Sequence, residues 1–158
     1  MSIAQKGIFI EETTAFVYLE YKLDFLGNQS ELKTALKNID KISDENVSIV
    51  ICFGKKAWDW INPDWSPDNF NDFADVVGES GYSMPSTQRD LFFGLNSNQK
   101  DSNFDVARAI NNELKSIATL ELEQEGFRYH DSRDFTGFID GTENPKEDDF
   151  KWITNYKK

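Results

Sequence analysis

Hydrophobic residues alternate with polar ones from Ala15 to Leu23, putting Val17, Leu19, Tyr21 and Leu23 on one side and Phe16, Tyr18, Glu20 and Lys22 on the other. That two-residue period predicts a β-strand. The cap-type stretch Gly27-Asn28-Gln29-Ser30 follows, and then Leu32, Ala35, Leu36 and Ile39 recur at the spacing of an amphipathic helix ending near Ile42. Val47–Phe53 is a short, β-branched, nearly continuous apolar run, which predicts a strand buried on both faces with Cys52 as a small core residue.

From Lys55 to Ser86 the periodicity dissolves into a long excursion holding three of the four prolines and Trp58, Trp60 and Trp65. Such a stretch predicts irregular structure. The tryptophans are read as core or interface packing, because their main contribution is large buried area. Alternation resumes over Arg89–Asn96. Ser102 then reads as an N-cap ahead of a helical stripe at Phe104, Ala107, Ile110, Leu114 and Ile117, predicting a helix over Asn103–Ile117. Ala118–Glu125 alternates again as a strand with one wet face. The order strand, helix, strand, strand, helix, strand predicts an α+β, ferredoxin-like domain: a four-stranded antiparallel sheet with two helices on one face.

Composition narrows the function classes. A chain of 158 residues with 39% hydrophobic and 14% aromatic residues is large enough for one domain with its own core. The net charge of -11 repels phosphate backbones and anionic lipid, so nucleic acid and membranes are not expected partners. No apolar run approaches the roughly 20 residues that cross a bilayer, and MSIAQKGIFIEE lacks the form of a secretion signal, so a cytoplasmic protein is expected. A single cysteine and a single histidine leave no internal disulfide and no zinc-finger spacing.

After Tyr129 the chain becomes polar and turn-rich. Gly137-Phe138-Ile139-Asp140-Gly141-Thr142-Glu143-Asn144-Pro145 contains the turn signals Asp-Gly and Asn-Pro, and by itself reads as a surface loop in which Asp140 caps its own backbone. The acidic run Glu143, Glu147, Asp148 and Asp149 reads as a solvated loop. The expected division is a ferredoxin-like domain over residues 1–130, then the GxxDG loop and the start of a connection over 131–158.

The nine-residue stretch, with GFRY at Gly126–Tyr129 and Arg133-Asp134 before it, resembles the GxxDG region of dye-decolourising haem peroxidases. VSIVICFG with a following tryptophan, and PSTQRDLFFGL at Pro85–Leu95, resemble the amino-terminal half of the same family. The resemblance implies hydrogen-peroxide-dependent oxidation of dyes or other organic substrates, with haem and peroxide as partners. It places Asp140 on the open, distal side of the haem, where a carboxyl group takes a proton from one peroxide oxygen and delivers it to the other. Gly137 and Gly141 would let the backbone approach a flat macrocycle. Phe138, Ile139, Thr142 and Asn144 are expected to shape the loop and meet the haem edge.

The family's axial histidine and distal arginine lie downstream of the motif, where this sequence has neither. His130, the only imidazole, precedes Asp140 and reads as a turn residue; Arg89, Arg128 and Arg133 read as partners in charge pairs. These 158 residues are therefore expected to be inactive alone. The alternative is a non-catalytic, self-associating module of the dimeric αβ-barrel type, a homo-oligomer formed through an uncovered apolar face.

Overall fold

A computed structural model describes residues 5–42 and 44–139. A short 3₁₀ turn at Lys6–Phe9 precedes β1 (Ala15–Leu23), α1 (Gln29–Ile39), β2 (Ser48–Phe53), α2 (Lys55–Ile61), β3 (Val76–Val77), β4 (Ser83–Met84), β5 (Leu91–Ser97), α3 (Lys100–Leu114) and β6 (Ala118–Phe127). Four strands form an antiparallel sheet in the order β2-β5-β1-β6, and β3 and β4 form a separate small hairpin. Insertion of β5 between β1 and β2 is the split βαβ arrangement of the ferredoxin-like fold.

The alternation in β1 sets which face of the sheet is dry. Val17, Leu19, Tyr21 and Leu23 are buried, and the register lays Leu95, Phe93 and Leu91 of β5 beside the first three. Leu32, Ala35 and Ile39 of α1 and Val106, Ala107, Ile110 and Leu114 of α3 complete one continuous core on that side. Asn28 caps α1 by accepting from the Ser30 amide at 2.9 Å.

Three expectations need correction. Cys52 is exposed: it pairs in register with Phe92, opposite in phase to the core residue Phe93 and the partly buried Ile51 that packs against the core, and β2 is an edge strand with a half-buried pattern. The outer edge of β2 is covered in part by the amino-terminal segment. Gln5 mimics a ladder partner there, donating to the Ile51 carbonyl and accepting from the Ile51 amide, both at 2.8 Å. The excursion after Lys55 is not wholly irregular, since it contains α2 and the β3–β4 hairpin.

Helix α3 starts a turn earlier than Ser102 suggests. The Ser97 hydroxyl accepts from the Gln99 amide at 3.0 Å and donates to its carbonyl at 2.7 Å, so the chain is already turning at Gln99, the true N-cap position. Trp60 packs as expected, edge-on to Phe25 against the core, and the half-buried Trp58 lies against Phe53, whereas Trp65, which meets the Trp58 ring, is exposed.

Candidate functional site

Strand β6 runs out at Phe127, and Arg128 makes one further backbone bond, donating to the Thr14 carbonyl at 3.0 Å. The chain then reverses. Arg133 and Ser132 donate to the Tyr129 carbonyl at 3.2 and 3.1 Å, with His130 and Ser132 held at positive φ of 45° and 69°. Non-glycine residues adopt that region only when their surroundings compel it.

Beyond this reversal a tight hairpin leads up to position 140. Arg133 and Ile139 form an antiparallel bridge. The Asp134 amide donates to the Phe138 carbonyl at 2.9 Å, and the Gly137 amide donates to the Asp134 carbonyl at 3.1 Å. Gly137 has φ of +97°, with nothing within 4 Å of where a Cβ would lie. The position thus favours glycine for backbone conformation, not for lack of room.

Two side chains brace this hairpin. Asp134 Oδ1 accepts from the Thr136 amide at 2.8 Å, the Thr136 hydroxyl at 2.6 Å and the Phe138 amide at 3.2 Å. These bonds, led by the one from the Thr136 hydroxyl, hold the Asp134 carboxyl below the usual carboxylate range. Arg133 forks onto Asp131, with Nε to Oδ1 at 3.0 Å and Nη2 to Oδ2 at 2.8 Å, and its Nη1 donates to the Gly137 carbonyl at 2.9 Å. The guanidinium lowers the Asp131 pKa.

The outer surface of the loop is apolar. Phe135 and Phe138 are 81% and 75% exposed and Ile139 is 50% exposed, beside an aromatic group in which the Tyr129 ring meets His130 at 4.0 Å and Phe135 at 5.0 Å. Of the expected site residues, the structure thus brings Gly137, Phe138 and Ile139 together on one hairpin. Asp140, Gly141, Thr142 and Asn144 lie outside the described residues. Arg133 pairs with Asp131, and Arg89 pairs with Glu121, as expected of charge partners.

Sequence reasoning missed the bracing roles of Asp131 and Asp134. The available signal was Asp134-Phe135-Thr136-Gly137, an Asp two residues ahead of a threonine and three ahead of a glycine, which is the pattern of a side-chain-closed turn.

Phe138 and Ile139 make an open apolar edge next to a glycine in an uncrowded position. Axial ligation of iron is a separate requirement. Among the described residues no group of three or more His, Cys, Asp or Glu could hold a metal ion, and His130 is turned against Tyr129 ten residues before Asp140. No helix among the described residues is long and apolar enough to cross a membrane.

Comparison with known proteins agrees with this picture. The family model for the amino-terminal part of Dyp-type peroxidases matches residues 5–128. The dye-decolorizing peroxidase of Rhodococcus erythropolis is 29% identical over 140 residues, covering 84% of this chain and 41% of that protein. In structure, a protein of Shewanella oneidensis described as a dyp-type peroxidase superposes with a TM-score of 0.81 at 30% identity, over 92% of this chain and 50% of that one. A DypB variant from Rhodococcus jostii in complex with heme gives a TM-score of 0.77 at 31% identity, with the same two coverages. The chain spans less than half the length of the Rhodococcus erythropolis relative and half that of these two structures. The chain belongs to the DyP-type peroxidase family and carries its amino-terminal, ferredoxin-like domain.

Proposed function

We propose that this chain supplies the distal wall of a haem peroxidase site, with Asp140 as the group that moves the proton when hydrogen peroxide is cleaved. The observation that carries the reading is the braced hairpin of residues 131–139, which ends one residue before Asp140 in sequence and exposes Phe138 and Ile139. Haem, when bound, supplies the redox-active iron. Gly137, Phe138, Ile139, Gly141, Thr142 and Asn144 would line its distal face or edge. The folded domain then corresponds to residues 1–130 and the GxxDG loop with its connection to 131–158.

The chemistry asked of Asp140 is modest and specific. Its carboxylate would accept a proton from one peroxide oxygen and return it to the other, which leaves as water; positioned acid–base groups of this kind contribute about 10²- to 10⁴-fold in rate. No histidine follows Asp140 in this sequence, so the axial imidazole must come from outside these residues. The test is the second-order rate with peroxide in the haem-loaded protein that carries this chain. Asp140→Ala should slow it about 100-fold or more at unchanged haem content, and an unchanged rate would reject the assignment.

A second reading has its own observation. The sheet face opposite the helices presents Phe16, Tyr18, Val50, Phe92 and Leu122, with the Tyr18 and Phe92 rings stacked at 5.6 Å. In this reading the chain pairs with another sheet through that face as a self-associating module. Light scattering across a concentration series decides it: a strictly monomeric chain excludes self-association.

A further inference from the structure

Arg133 is half-exposed, and a pair such as Arg133–Asp131 on a protein surface ordinarily contributes little to stability. Its third bond sets it apart. While Nε and Nη2 engage both Asp131 carboxylate oxygens, Nη1 reaches across the hairpin to the Gly137 carbonyl. The same residue's backbone bridges Ile139, the residue immediately before Asp140. The guanidinium is therefore fixed on one side by a carboxylate and on the other by the backbone at the glycine where the chain turns.

We propose that Arg133 is a positioning residue for Asp140: forked onto Asp131, it clamps the Gly137 carbonyl and so fixes the hairpin arm that ends at Ile139, one residue before Asp140 in sequence. This rests on the proposed role of Asp140. Three features favour a geometric role over a purely electrostatic one. The fork is planar and matches the two carboxylate oxygens, a fit that a lysine ammonium cannot reproduce. The clamped residue is Gly137, whose φ of +97° lies in the region side chains avoid. Asp134, the next residue on the same arm, braces the turn independently through the Thr136 and Phe138 amides, so Arg133 governs the orientation of the turn more than its existence.

The clamp is tested in two arms. In the 158-residue chain, Arg133→Ala and Arg133→Lys should each speed amide exchange at Gly137 and Phe138 by about tenfold, as expected for a local opening. Exchange at Leu19 and Phe93 in the core should not change. In the haem-loaded protein carrying this chain, R133A should slow the peroxide reaction about 10- to 100-fold, the scale of a small misplacement of a catalytic group. R133K should fail to restore the rate, and Asp131→Asn should slow it in parallel.

The decisive readout is the double variant. If Arg133 acts through Asp140, R133A adds no further loss in the D140A background; full additivity of the two losses overturns the proposal. A slow D140A with an unaffected R133A, or full rescue by R133K, also overturns it while leaving the role of Asp140 standing. A D140A variant as fast as the parent rejects the proposed function and removes the clamp's purpose with it.

Discussion

Replacing Tyr21 with phenylalanine should stabilise the domain. Tyr21 is fully buried in β1, its ring meets Phe93 edge-on at 5.8 Å, and its hydroxyl has no hydrogen-bond partner among the described residues. A buried hydroxyl without a partner costs about 1–3 kcal/mol in proteins, whereas phenylalanine keeps the ring and its contact. Tyr21→Phe should therefore gain about 1 kcal/mol, or about 2–4 °C in Tm for a chain of this size.

The same burial, with the negative charge of Glu123 adding to it, pushes the Tyr21 pKa from 10.0 up to about 12. Because the folded-state value is raised, the unfolded chain loses this proton first. The native state's advantage is complete below pH 10 and is lost as pH rises toward 12. Two units correspond to about 2.7 kcal/mol at most. Urea denaturation at pH 7.5 and at steps up to pH 12 measures both effects, and taking the difference between variant and parent cancels other alkaline titrations. The gain of Y21F should widen above pH 10. A loss of stability at neutral pH would refute the reasoning, because it would mean that the hydroxyl is satisfied in solution, for example by a buried water.

Two further substitutions separate the core from the site. Phe93→Ala, at the centre of the β2-β5-β1 register, should cost about 3–5 kcal/mol, seen as a lower urea midpoint with little change in slope. Gly137→Ala places a side chain at φ of +97° where space is open. It should leave Tm within about 2 °C but accelerate amide exchange at Thr136 and Phe138; unchanged exchange would show that the turn does not need its glycine.

The core of the fold was legible because periodicity reports burial directly. The phase of Val17, Leu19, Tyr21 and Leu23 named the dry face of the sheet, and Leu32, Ala35 and Ile39 named the helix side that meets it. Where reading failed, burial did not come from period. Val47–Phe53 looks two-sided because nearly every residue is apolar, yet β2 is an edge strand whose outer backbone groups are met at Ile51 by the Gln5 side chain, a contact 46 residues away that no local pattern announces. Helix α2 is seven residues long with only Ala57 buried, too short to show a stripe. At the site, the glycine and turn chemistry of residues 134–138 was readable, but the span from Arg133 to the Gly137 carbonyl is a three-dimensional contact.

Titrating the 158-residue chain with ferric haem tests the proposal that this domain supplies a distal wall and Asp140 while the iron ligand comes from elsewhere. The absorption spectrum should show free or loosely held haem, with no saturation at one equivalent, and His130→Ala should change nothing. A defined one-to-one spectrum with an axially ligated band that His130→Ala abolishes would contradict the account, because the iron would then be held by the imidazole that the hairpin turns against Tyr129.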